Sequence, residues 1–238
     1  MDSHKVEWTE QKVRDFWHIN HANFARRRYS QQVGPALARL IGRNVAAGSV
    51  VLDYGCGKGD LLRGLDASRY RLFGTDYEVP EDFSLYTSGD LNRAGIGRRY
   101  FVEADAMVTL RGRVDAALLI EVVEHLDDGT LDDVLLRIGG LLRPGGVLLV
   151  TTPNREDLGY NSVNCPDCGC IFHRVQHVRS WTADELTERM ARCSFSPVRI
   201  METDLGRMQR SFASRVIRTV LDRYDRRVEP HLVGFFRK

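Results

Sequence analysis

Residues 51–60 read Val-Leu-Asp-Tyr-Gly-Cys-Gly-Lys-Gly-Asp, an apolar run that ends in a turn with glycine at every second position and then opens into a helix-forming segment. No other feature constrains the fold as tightly. Glycine admits backbone conformations closed to other residues, and it lets a ligand approach the main chain where a helix N-terminus presents its free amides. A strand feeding such a turn belongs to an α/β architecture, and further strands should follow at regular intervals.

They do. Ser49–Asp53, Tyr70–Asp76, Tyr100–Asp105, Val114–Ile120 and Val147–Thr152 are strand candidates, and Val114–Ile120 is nearly continuous in apolar residues, as suits a strand covered on both faces. Between them Asp60–Leu65 and Thr130–Leu142 read as helices, the second opening at Thr130 with Asp133 in its first turn and stopping at Pro144-Gly145-Gly146. This alternation predicts a mostly parallel sheet with right-handed crossovers. Upstream, residues 5–43 read as helical. Their aromatics Trp8, Phe16, Trp17, Phe24 and Tyr29 are expected in the core, although the same residues would also serve as a lid over a ligand. Downstream, Trp181–Cys193 is a helix capped by Thr182, Val198–Met201 and His231–Phe236 form a closing strand pair, and Gly206–Arg227 is an arginine-studded amphipathic helix. Pro153–Val178 breaks the rhythm as a Cys/His/Asn-rich loop that a compact domain does not need unless the loop has a function.

The chain has 238 residues, 43% hydrophobic and 28% charged, enough for one domain with a proper core; that composition excludes a disordered chain and a disulfide-packed miniprotein. Its 34 basic and 32 acidic residues leave a net charge of +2, so no bulk field commits the protein to nucleic acid or membrane. Five cysteines, an odd number with Cys165, Cys168 and Cys170 crowded together, do not look like a disulfide framework. Met1–Lys12 lacks the apolar core of a signal peptide, and no apolar run approaches the roughly 18 residues of a membrane span. A reduced cytoplasm is the expected location.

A dinucleotide-binding dehydrogenase competes for the glycine turn. Here, however, Asp60 stands where that fingerprint has its third glycine, and Asp53 ahead of the turn is a poor neighbour for a pyrophosphate but suits a cationic ligand. Asp76, ending the next strand, can take both hydroxyls of a ribose. With LDYGCGKG at 52–59, GTD at 74–76, EADAM at 103–107, VDAALLIEVVEHL at 114–126 and LLRPGGVLLVTTPN at 141–154, the chain resembles the class I S-adenosylmethionine (SAM) dependent methyltransferases. The resemblance implies a Rossmann-like seven-stranded, mostly parallel sheet with helices on both faces, an N-terminal helical cap and a Cys/His-rich insertion after the fifth strand. It also implies where SAM binds: Gly55, Gly57 and Gly59 at the methionine part, Asp76 at the ribose, Asp105 with Ala106 at the adenine, and Ile120 and Glu121 near the transferring methyl. Asp53, Cys56 and Tyr77 complete the cofactor-binding set. One domain is expected over 1–238, with a helical cap (1–45), a SAM-binding half (46–154), an insertion (155–180) and C-terminal helices with a strand pair (181–238).

Two constellations lie beyond the cofactor motifs. Glu121, Glu124 and His125 end the fourth strand and begin the next turn. Completed by a histidine after the fifth strand, for which His177 stands in about the right place, they resemble the metal site of the small-RNA 3′-terminal ribose 2′-O-methyltransferases, where two glutamates and two histidines hold a divalent ion against both terminal hydroxyls. Without a metal, the same three residues become acceptor-side catalytic groups, with His125 as general base because its pKa lies near working pH. The rival is Cys165-x-x-Cys168-x-Cys170-x-x-His173-x-x-x-His177, whose thiolates and imidazoles match tetrahedral zinc. This segment resembles a CPxCG…FH…H insertion in SAM methyltransferases that modify glycans or metabolites. It implies a structural zinc on Cys165, Cys168, His173 and His177, with Cys170 as the alternate ligand. The two readings compete for His177.

The expected function is O-methylation of a glycan precursor or small metabolite. A divalent-metal-dependent 2′-O-methyltransferase of RNA 3′ ends is the second reading, and a non-catalytic SAM-fold binding protein the third. The arginines of 206–227 would recruit an anionic acceptor. With no aromatic residues interleaved on that basic face, nucleic acid is not favoured. Oligomeric state leaves no mark in the chain.

Overall fold

The computed structural model describes residues 3–23, 29–86, 91, 98–209 and 228–238. In chain order its first half runs β1 (His4–Lys5), α1 (Glu10–Asn23), α2 (Tyr29–Asn44), β2 (Val50–Tyr54), α3 (Asp60–Gly64), β3 (Arg71–Thr75), β4 (Ser84–Tyr86), β5 (Arg99–Val102) and β6 (Val114–Ile120). The second half runs α4 (Asp128–Leu141), β7 (Leu142–Pro153), β8 (Ser162–Asn164), β9 (Cys170–His173), α5 (Ala183–Arg192), β10 (Ser196–Thr203) and β11 (His231–Arg237). Among the described residues, eight strands form one sheet in the order β10-β11-β7-β6-β2-β3-β5-β4; every ladder from β7 to β4 is parallel, and β11 runs antiparallel to both β7 and β10.

Pleat alternation explains why the central strands are apolar throughout. On β6, Ala117 and Leu119 feed one core, with Leu131, Leu135 and Ile138 of α4 and Leu186 and Met190 of α5. Ala116, Leu118 and Ile120 feed the other, with Leu37 and Ile41 of α2 and Leu61 and Leu62 of α3. Successive side chains on a strand point to opposite faces, so a strand between two helix layers has no polar positions to spare. Because the strands are parallel, the carboxyl ends of β2, β3, β6 and β7 meet at one edge, with Asp53 in register with Gly74 and Leu118.

Several expectations need correction. The sheet has eight strands rather than seven, since Ser84–Tyr86 adds a short edge to β5 that has no alternating apolar pattern to announce it. α4 opens earlier than Thr130: Asp127 is its cap, its side chain accepting from the Thr130 amide at 3.0 Å. Pro144-Gly145-Gly146 does not separate helix from strand, because β7 begins at Leu142 and passes through it, with Gly145 at φ 74°. The loop after β7 holds a second sheet, in which β9 pairs antiparallel with β8 and parallel with β1. The expected Thr182 cap forms, and with Glu185 it makes a reciprocal capping box. Phe24 and residues 210–227 of the arginine-rich helix lie outside the described residues; Arg207–Gln209 is a single 3-10 turn. Among the described residues no helix is long and apolar enough to cross a membrane.

Candidate active site

β2 delivers Asp53 and Tyr54 into the glycine turn, where Gly55, Gly57 and Gly59 all have positive φ. The three glycines answer to different demands. A Cβ on Gly55 would lie 2.7 Å from Val122, and one on Gly59 2.5 Å from the Phe83 ring, whereas one on Gly57 would meet nothing within 4 Å. Gly55 and Gly59 serve the packing of the turn itself; Gly57 faces the open space a ligand needs. Gly59→Ala is therefore expected to lower stability by about 2–4 kcal/mol, from overpacking plus a strained φ. Gly57→Ala should cost only about 1–2 kcal/mol while weakening SAM binding at least tenfold. Thermal unfolding and calorimetric titration of both variants check the contrast, and equal destabilisation would contradict it.

Asp76 follows β3 and accepts from the amides of Gly57 and Tyr77, both at 2.6 Å. The acid expected at a ribose thus also closes the glycine turn. Asp53 is 2% exposed, and its Oδ1 has no donor. Burial, then the nearby charge of Asp76, raises its pKa to about 7. A buried carboxylate lacking a donor, next to an open glycine, fits a cationic group. SAM supplies such a group, along with an activated methyl on its sulfonium. Asp105 accepts from the Ala106 amide at 2.8 Å and caps the 3-10 turn Ala106–Leu110 after β5. Tyr77 stays substantially exposed, with the Arg14 guanidinium 4.8 Å from its ring centroid. Cys56 is buried against Gly74, and burial pushes its thiol up, so it reads as packing rather than as a cofactor contact.

The group expected on the acceptor side begins where β6 ends. Ile120 is 9% exposed at the strand end, and Glu121 follows it at φ 53°, a left-handed conformation uncommon for a residue with a Cβ. Glu121 accepts from the Thr151 hydroxyl at 2.9 Å and faces the Tyr29 phenol; burial raises its pKa to about 8. Glu124 is 1% exposed, with Oε2 accepting from the Thr152 hydroxyl at 3.0 Å and Oε1 left without a donor. Burial, then the charge of Glu121, holds it well above the ordinary carboxylate range.

Two histidines face that Oε1. The Nε2 atoms of His125 and His177 each lie 3.9 Å from it. Their other nitrogens fix the tautomers. His125 Nδ1 meets the Gln176 carbonyl at 3.3 Å, and His177 Nδ1 meets Glu156 at 2.5 Å, so each ring donates from Nδ1 and, in its neutral form, carries its lone pair on Nε2. His173 is arranged the other way: its Nδ1 accepts from the His177 amide at 3.2 Å, which puts its proton on the Nε2 that lies 3.4 Å from Glu156. Glu156 loses solvent by burial, but the His177 hydrogen bond and charge outweigh that and leave its pKa below the ordinary value. His125, by contrast, is pulled down to about 3 by burial and then by His177. The reason for making it the general base, a pKa near working pH, does not hold in this environment.

Among the described residues, the groups whose ligand atoms lie within 4.8 Å of one another are Glu124/His125/His177 and Glu156/His173/His177, and neither includes a cysteine. The expected zinc set Cys165/Cys168/His173/His177 is thus divided. Cys170 and His173 stand an odd number of residues apart on β9, so the pleat turns them to opposite faces and carries the histidine away from the thiols. Glu156 and Gln176 were missed in the sequence; only their place beside the loop histidines hinted at a role.

α1 spans both halves of the site. His18 and Lys58 both contact Glu78 on the cofactor side, while Trp17 donates to the Gln176 side chain at 3.0 Å and stands edge-on to His125. Trp8 and Phe16 pack on Phe172 of β9. Trp8, Phe16 and Trp17 are all half-buried rather than core, so the lid reading of these aromatics describes them better.

The model of the family described as "Methyltransferase domain" matches residues 24–199, well over half of the chain. A probable S-adenosylmethionine-dependent methyltransferase of Mycolicibacterium smegmatis is 32% identical over 156 residues, 63% of this chain and 52% of that protein. A ubiquinone biosynthesis O-methyltransferase of Bradyrhizobium diazoefficiens is 31% identical over 113 residues, 48% of this chain and 43% of that protein. The chain thus spans about half the length of these curated relatives. In fold it is similar to the Burkholderia thailandensis 1,6-didemethyltoxoflavin-N1-methyltransferase (TM-score 0.61, 19% identity, covering 100% of this chain and 93% of that one). It is also similar to the [4+2]-cyclase SpnF (TM-score 0.57, 18% identity, covering 100% and 99%), so the fold alone does not decide the chemistry. The family match, joined to a buried acid at the glycine turn and a second acid after β3, places this chain in the methyltransferase-domain family of SAM-dependent enzymes.

Proposed function

We propose that the protein transfers the methyl group of SAM to a hydroxyl oxygen of a small-molecule or glycan-precursor acceptor, and that Glu124, His125 and His177 hold this hydroxyl through a divalent cation. The observation that carries the reading is the meeting of three possible ligand atoms, Glu124 Oε1, which has no hydrogen-bond partner, and Nε2 of His125 and His177, each 3.9 Å from it. A cation satisfies all three together, and imidazole with carboxylate suits a first-row divalent ion. Such an ion lowers the pKa of a bound hydroxyl. The chain's own residues orient the rings through Glu156 and the Gln176 carbonyl. The end of β6 sets the acceptor against the cofactor turn, and α1 covers both, so that oxygen and methyl are aligned away from water. Four relatives are named O-methyltransferases of ubiquinone biosynthesis, which supports oxygen as the acceptor atom.

The test is formation of S-adenosylhomocysteine with a panel of hydroxylated acceptors. Treatment with a chelator should lower the rate at least tenfold, and manganese or magnesium should restore it. A rate that ignores the chelator overturns the metal reading, and no turnover of SAM with any acceptor favours a binding protein on the same fold. The second reading, ribose 2′-O-methylation at RNA 3′ ends, gains from His177 joining Glu124 and His125. Turnover of RNA ends in preference to small hydroxylated compounds would select it.

A further inference from the structure

We propose that the β8–β9 hairpin holds a structural zinc ion on Cys165, Cys168, Cys170 and His4, so that the metal staples the N-terminal strand to the insertion. This site is separate from the Glu/His group, and its ligands differ from the set read from the sequence. Cys170 takes the place of a loop histidine, and the fourth ligand comes from the far end of the chain.

Register puts these residues together. Asn164 pairs with Ile171, so the next pair outward is Cys165 with Cys170, joined by the Cys165 amide donating to the Cys170 carbonyl at 2.8 Å. β1 pairs parallel with β9, placing His4 beside Cys170, and the His4 amide donates to the Gly169 carbonyl at 3.2 Å. Residues paired across a ladder share a face, and neighbouring strands lie about 4.8 Å apart. Cys165, Cys170 and His4 therefore stand side by side on one face. Cys168 reaches them from the turn, which Gly169 closes at φ 72° with its amide on the Cys165 carbonyl at 2.9 Å.

The sulfurs are already prepared as acceptors. The amides of Cys168 and Asp167 and the Cys168 thiol hydrogen-bond to the Cys165 sulfur, and the Cys170 amide hydrogen-bonds to the Cys168 sulfur. Amides turned toward sulfur form the hydrogen bonds that a zinc-bound sulfur also accepts, and zinc takes sulfur at about 2.3 Å. The Cys165 and Cys168 side chains are hydrogen-bonded to each other, whereas the Cys170 thiol and the exposed His4 ring stand farther off, and rotation of those two side chains would bring them to the same ion. Cys170 shares its face with Phe172, on which Trp8 and Phe16 pack. The metal would thus anchor the root of α1, the helix that covers the site.

The experiment uses the full chain purified with zinc and dialysed. Elemental analysis should give one tightly held zinc per chain, absent from a Cys165→Ser/Cys168→Ser variant. His4→Ala and Cys170→Ser should each speed zinc loss to a chromogenic chelator at least tenfold, whereas His173→Asn and Glu124→Gln should not. Cobalt substitution should show a thiolate-to-metal absorption band that weakens in Cys170→Ser and persists in His173→Asn. No zinc after reconstitution overturns the site. Zinc insensitive to His4→Ala and Cys170→Ser but lost in His173→Asn overturns this ligand set. Neither result bears on the Glu/His reading, whose own readout is the chelator-sensitive rate restored by manganese or magnesium.

Discussion

Glu124→Gln is expected to abolish activity and at the same time to raise the melting temperature. In the wild type, Glu124 Oε2 takes the Thr152 hydroxyl while Oε1 stands 3.9 Å from Nε2 of His125 and of His177 without a hydrogen-bond partner. A glutamine of the same shape keeps the Thr152 bond through its carbonyl and turns an NH2 toward His125 and His177. Its two N–H groups supply the donors the trio lacks, and a buried acid disappears. An unsatisfied buried polar group costs about 1–3 kcal/mol, and more when charged. For a chain of this length each kcal/mol moves the midpoint by about 2–4 °C, so an increase of about 3–10 °C should appear in thermal unfolding. Methyl transfer should fall by about 10²–10³-fold, because neither a cation nor an acceptor hydroxyl is then held. A variant that loses stability and keeps its rate would show that Glu124 is an ordinary structural acid.

Such a trade between stability and chemistry also explains what the sequence made legible. The parallel sheet followed from the apolar run Val114–Ile120 and from glycine punctuation, because a strand between two helix layers must be apolar on both faces. The closeness of Asp53 and Asp76 followed for the same reason: they lie at the carboxyl ends of adjacent parallel strands, and local order along the chain becomes spatial order across the sheet. The acceptor side was only half legible. Glu121, Glu124 and His125 are contiguous, but whether His177 serves them or the cysteines depends on the pleat of a short hairpin and on Glu156, whose hydrogen bond sets the His177 tautomer. Neither leaves a periodic trace. The pairing of His4 with Cys170 spans nearly the whole insertion and SAM-binding half, and no local rule could supply it.

SAM affinity should depend on pH through Asp53. Burial and the neighbouring charge of Asp76 raise this carboxyl to about 7, against about 3.9 in an unfolded chain. A cationic ligand binds the ionised form. Below pH 7 it must first displace a proton, so its dissociation constant should rise about tenfold per pH unit, and above pH 7 it should level off. The stability of the ligand-free protein runs the opposite way. A carboxyl whose folded pKa is raised contributes stability that is fully present below the unfolded value of about 3.9 and is lost as pH climbs through about 7, because the folded state holds the proton longer. Between pH 5 and 8 the ligand-free melting temperature should therefore fall from this group, while the upward shift on adding SAM should grow. Asp53→Asn should flatten both profiles and leave binding weak at every pH, near the low-pH limit of the wild type. Repeating the titration with S-adenosylhomocysteine identifies the cation that Asp53 meets. This product keeps the amino group and lacks the sulfonium, so an unchanged pH profile assigns Asp53 to the amine, and a flat one assigns it to the methyl-bearing sulfur. A wild-type affinity for SAM that is constant from pH 5 to 8 would remove Asp53 from the cofactor site altogether.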